Sequence, residues 1–128
     1  MTTDKKHISD LHAEHASWLK ESSFYADELK IFRERLTEVA GKNTQSAITK
    51  QIEHFQSQFM IQQEQMDILN HETKAHETKL AGFAQEHPVA IDHRLFDNHQ
   101  DFLNKVNSFK KIFGELKTEF KTFLSAAM

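Results

Sequence analysis

Apolar residues recur along this chain in alternating steps of three and four, and they do so in three long stretches. The first runs through Ile8, Leu11, His15, Trp18, Ser22, Tyr25, Leu29, Phe32, Leu36 and Val39. The second runs through Ile48, Ile52, Phe55, Phe59, Gln62, Met66, Leu69, Thr73, His76, Leu80 and Phe83, and the third through Leu95, His99, Phe102, Val106, Phe109, Phe113, Leu116, Phe120 and Phe123. A mean step of 3.5 residues is a helix seam packed in coiled-coil fashion. Nothing alternates with the period of a strand.

The breaks between the stretches are equally legible. Gly41-Lys42-Asn43-Thr44 offers a C-cap glycine and N-cap residues. His87-Pro88 disfavours helix at His87, and Asp92 is an N-cap for the third stretch. The pattern predicts helices over 8–41, 44–83 and 92–125, each about 50 Å long at ~1.5 Å per residue. With only 3 Gly and 1 Pro there is little turn chemistry for many short elements. The expected fold is all-α: one domain over residues 1–128, an antiparallel up-down-up bundle of three long helices.

Composition excludes several function classes. The 16 basic and 19 acidic residues leave a net charge of −3 and no basic patch, which argues against nucleic acid. The absence of cysteine removes disulfides, thiolate zinc, iron–sulfur clusters and cysteine nucleophiles. No apolar run approaches the ~20 residues of a membrane span, and the polar first ten residues lack a signal core. A cytoplasmic protein is expected. No serine has a base and orienter in view, no glycine-rich phosphate loop exists, and no catalytic residue is assigned.

Function is sought where polar residues interrupt the seam: His15, Ser22, Tyr25, Gln62, Thr73, His76 and His99. Folding the chain at its loops, with Val39 level with Ile48 and Leu80 level with Leu95, sets Tyr25 beside Gln62 as a hydrogen-bonded pair. His76 comes level with His99 and Leu11, and His15 lies one layer away beside Thr73. Helical side chains lean toward their own N-terminus, which draws His15 and His76 together. Eight of the nine histidines gather at this end, His54 excepted.

The same folding sets Glu14 opposite Glu72 across the seam between helices 1 and 2, with Glu21 opposite Gln65 and Glu28 opposite Gln58. His12 is expected on the seam toward helix 3. Two facing carboxylates repel unless something positive lies between them. Other polar residues are read as ordinary surface: His7, His54, His71, His87, His93, Glu64 and Glu77. Trp18 is core and a wall of the site. Phe32, Phe55, Phe59, Phe113, Phe120 and Phe123 are core at the far end. Leu19, Ile31, Ile61, Ile68, Phe96, Leu103, Ile112 and Leu124 flank the seams, free to widen the core or to meet a partner.

Imidazoles from three helices beside carboxylates are what a transition-metal site requires. The expected ligands are His15, His76 and His99, with Glu72, Glu14 and His12 completing the shell. The expected ion is a divalent transition metal, iron or zinc first and manganese next. One ion, or two bridged by Glu14 and Glu72, fits the set. Inward histidines and glutamates on long antiparallel helices, over residues 11–15, 72–76 and 93–99, resemble the hemerythrin-like and ferritin-like metal-binding bundles. Glu72 stands four residues before His76, whereas the di-iron carboxylate bundles use a step of three. The resemblance implies a bound metal and a role in storage, sensing, or redox chemistry with oxygen. Two other readings stand beside it. One is a helical interaction module, a homodimer for instance, with a polar histidine core network. The other is a pH switch in which the histidines charge and loosen the bundle.

Overall fold

The structure, a computed structural model, describes residues 8–42, 45–86 and 93–127, with side chains described for 9–42, 45–82 and 97–127. The expectations for His7, His87, Thr44 and Asp92, and for the side chains of Ile8, Phe83, His93, Leu95 and Phe96, lie outside the described residues.

Among the described residues three helices make up the fold: α1 (Ile8–Lys42), α2 (Ser46–Glu86) and α3 (His93–Ala127). No strand occurs among the described residues. Each helix forms because one seam of apolar residues recurs every 3.5 positions, with charged and amide side chains on the remaining surface. Its stability comes from burying that seam, since Gly41 and Gly82 both sit inside helices rather than ending them. No described glycine adopts a positive φ, so the C-cap expected at Gly41 does not form.

The seams read from the sequence are the core. Leu11, His15, Trp18, Ser22, Leu29, Phe32, Leu36 and Val39 are buried on α1. The buried residues of α2 are Ile52, Phe55, Phe59, Gln62, Met66, Leu69, Thr73 and Leu80, and those of α3 run from His99 to Phe123 at the predicted steps. Leu19, Leu103 and Leu124 widen this core, whereas Ile31, Ile61, Ile68 and Ile112 stay exposed.

Contacts give the direction of each helix. Rising numbers on α1 meet falling numbers on α2 (His15 with His76, Phe32 with Phe59). The same holds between α2 and α3 (Phe55 with Phe120, His76 with Phe102), and α1 and α3 rise together (Glu14 with His99, Glu28 with Lys117). The bundle is up-down-up. His15 lies opposite His76 rather than in the layer of Thr73, about one turn from the expected register. The cause is the first connection: α2 begins at Ser46, not 44, which slides it along α1.

The two flanks of the helices are also exchanged relative to the expected arrangement, which corresponds to the opposite hand of packing. Glu14, Glu21 and Glu28 line the α1 flank that faces α3, where they meet His99, Lys110 and Lys117. They do not face Glu72, Gln65 and Gln58. Glu72 pairs with Lys105 of α3 at 3.2 Å, and His12 faces α2, not α3. Among the described residues no helix is long and apolar enough to cross a membrane.

Candidate metal centre

Three inward imidazoles, one from each helix, meet near the start of α1. The ring of His15 lies 5.0 Å from that of His99 and 5.8 Å from that of His76. His15 and His99 are each only 2% exposed, and His76 is half-buried. Phe102 supports all three rings, at 5.5 Å from His15, 5.4 Å from His76 and 6.1 Å from His99. A cavity of about 10 Å³ lies here, lined by His15, His76 and His99 with Leu11, Lys79, Leu80 and Asn98. That is room for roughly one water-sized body.

Carboxylates hold two of the rings from the bundle's flanks. Nδ1 of His15 donates to Oε1 of Glu77 at 2.5 Å, and Nδ1 of His12 donates to the other oxygen at 2.7 Å. Across the opposite flank, Nε2 of His99 donates to Oε1 of Glu14 at 2.7 Å. An ionised carboxylate only accepts, so these bonds fix the proton on Nδ1 of His15 and on Nε2 of His99. In each ring the other nitrogen, Nε2 of His15 and Nδ1 of His99, is turned away from the carboxylate. Nε2 of His15 is buried and has no hydrogen-bond partner.

The electrostatics follow the contacts. Burial alone raises the Glu77 carboxyl, but the hydrogen bonds from His15 and His12 outweigh it and hold the group below its ordinary 4.5. Burial, then the neighbouring His15, lowers His76 below its ordinary 6.5. His76 is therefore neutral near pH 7, the form in which imidazole binds metals.

The predicted ligand set is only partly brought together. His15, His76 and His99 converge, Glu14 holds His99, and His12 reaches the cluster through Glu77 rather than from the seam toward α3. Glu72 is engaged by Lys105, so the expected Glu14–Glu72 pair is absent. Glu77, expected as ordinary surface, is the carboxylate that organises His12 and His15. The other polar interruptions have separate explanations. Ser22 donates to the carbonyl of Leu19 and Thr73 to that of Leu69, each within its own helix. Tyr25 packs against Trp18, Phe109 and Phe113 and makes no bond to Gln62, whose Oε1 is buried without a partner. Trp18 packs on Phe109, a layer in from the histidines, as expected of a wall.

Among the described residues no group of three or more His, Asp and Glu side chains is arranged, as it stands, to hold a metal ion. Part of the spacing such a group needs is present around His15. Two imidazoles sharing one tetrahedral ion at ~2.0–2.1 Å per nitrogen have ring centres about 5 Å apart. His15 and His99 already have that separation, and His76, the least buried of the three, stands less than 1 Å too far from His15. The orphaned Nε2 of His15, the cavity and the outer carboxylates all fit an ion in this place. Metal-bound histidines characteristically donate their second nitrogen to a carboxylate.

No family model, curated protein or solved structure matches this chain.

Proposed function

We propose that this protein binds a divalent transition metal at the histidine end of its bundle, for storage, sensing or redox chemistry with a small ligand such as oxygen. The observation that carries the reading is the buried imidazole of His15. One nitrogen is fixed by Glu77, the other has no partner, and the ring borders a cavity shared with His76 and His99. A buried nitrogen left unbonded costs about 1–3 kcal/mol, and a metal ion removes that cost by using its lone pair. The ion also gives the neutral His76 a role. The cysteine-free composition suits a reducing, cytoplasmic setting.

Elemental analysis by mass spectrometry of untagged protein, purified without added metal or chelator, tests the proposal. Iron, zinc or manganese in stoichiometric amount, lost in His76→Ala, is the expected result. Absence of bound metal together with no thermal shift on adding any refutes it.

A second reading rests on a different observation. Ile61, Ile68 and Ile112, all exposed, line a groove of about 620 Å³ between α2 and α3, floored by Gln62, Leu69 and Phe109. An interaction module, with homodimer formation through this groove, accounts for it without a metal. Sedimentation across a wide concentration range separates the readings: a monomer throughout excludes homodimer formation.

A further inference from the structure

Metal binding by itself leaves open how many ions bind, through which atoms, and of what class. Resting on the metal reading, we infer that the centre takes a single ion through three imidazole nitrogens, with Glu14 and Glu77 kept outside its coordination sphere, and that it selects zinc-like ions over hard ones such as manganese.

Space fixes the number. Two ions in a shared site stand ~3.5–4 Å apart and need bridging oxygens. The cavity among the three rings measures about 10 Å³, enough for one ion and no second. The bridge is missing as well. Glu72 is held by Lys105 at 3.2 and 3.3 Å on the α2·α3 flank, and Glu14 lies on the α1·α3 flank.

Hydrogen bonding fixes the donors. Both oxygens of Glu77 already accept from imidazoles, one from His12 and one from His15. An oxygen of Glu14 accepts from His99. Turning either carboxylate inward would break bonds of 2.5–2.7 Å and release the ring it orients. As outer partners they hold the rings of His15 and His99 in place. His76 has no such carboxylate bond among those the structure gives, which makes it the ring that adjusts as the ion enters.

Donor chemistry then fixes the class. Three neutral nitrogens suit zinc, cobalt, nickel or copper. Manganese and magnesium favour carboxylate and water oxygens, which this inner set does not supply. Three protein ligands on a tetrahedral ion leave a fourth position, which solvent takes.

Titration of metal-free protein with Co²⁺, followed by visible absorption, tests the inference, with circular dichroism to confirm that each variant is helical. Saturation at one equivalent is expected. Glu77→Gln and Glu14→Gln should each weaken binding about 10–100-fold while keeping that stoichiometry. Glu72→Gln should leave binding unchanged. Zn²⁺ should displace Co²⁺, and Mn²⁺ in excess should not. Saturation at two equivalents, or loss of binding in Glu72→Gln, overturns the single-ion, all-imidazole centre while leaving metal binding intact. So does complete loss of binding in a folded Glu77→Gln protein, since a carboxylate would then be a ligand. A wild-type protein that takes up no Co²⁺, or a His76→Ala protein that binds it as well as wild type does, removes the underlying metal reading itself.

Discussion

The two ends of this bundle are built from rings of similar shape, with His15 and His99 as deeply buried as the phenylalanines opposite, and differ in what those rings still require. At one end Phe32, Phe55, Phe59, Phe113, Phe120 and Phe123 pack with ring centres 5.0–6.2 Å apart. At the other, His15, His76 and His99 pack around Phe102 at much the same distances. A phenylalanine cluster is complete once water is excluded. An imidazole cluster is not, because each ring carries two nitrogens that need partners. Glu77 and Glu14 supply one partner each to His15 and His99, and Nε2 of His15 still lacks one. Depth of burial therefore does not separate stability from function here. The remaining hydrogen-bonding demand does.

If that contrast is right, truncation at the aromatic end should have the largest effect. Phe59→Ala or Phe120→Ala, both at sites of 0% exposure, should lose about 3–5 kcal/mol in denaturant unfolding. A loss under 1 kcal/mol would mean that this end is not the stabilising half. Gln62, between the two ends, sharpens the comparison. It is 4% exposed with an orphaned Oε1, so Gln62→Leu should raise stability by about 1 kcal/mol. Destabilisation of that size would show that the amide has a partner in solution.

Acid should act on the histidine end before the aromatic end. His76 is held below its ordinary 6.5 when folded, with His15, Glu72, Lys79 and Lys105 around it. The unfolded chain thus binds more protons as pH falls below about 6.5, and the metal-free protein loses stability there. Glu77, held below 4.5, adds a second loss of the same sign at lower pH. Chemical denaturation from pH 8 to 4 reads both, and a profile that is flat or rises toward acid contradicts them. The smallest effect is expected from His15→Leu without metal. It removes an orphaned nitrogen and keeps the volume, which offsets the lost hydrogen bond to the partly exposed Glu77, so stability should change by less than about 1 kcal/mol. A cost equal to that of Phe59→Ala would make the histidine end an ordinary core.

The sequence made the inside of the bundle legible. Every seam position with a described side chain is buried or half-buried, because a step of 3.5 leaves one face able to meet two neighbours. It did not make the hand legible. A heptad pattern states which residues face inward, not whether the third helix packs to the left or the right of the first pair, and that choice exchanges the two flanks of every helix. The other hand sets Glu14 against Glu72 and leaves Glu77 on the surface. A usable signal was present in the charges. One hand pairs His12 with Glu77, Glu21 with Lys110 and Glu28 with Lys117, whereas the other sets Glu14 against Glu72. Exposed ion pairs add little stability, yet three complementary pairs against one repulsive pair can decide between alternatives of equal core. The register error of one turn had a more local origin, in a first connection longer than the cap signals implied.

The most direct test of the histidine end is anomalous diffraction at the zinc edge from crystals grown with one equivalent of zinc. The account predicts one peak among His15, His76 and His99, ~2.0–2.1 Å from Nε2 of His15, with Glu77 and Glu14 still bonded to the outer nitrogens. A peak held by other residues, a pair of peaks, or three rings pointing apart around no peak would contradict it.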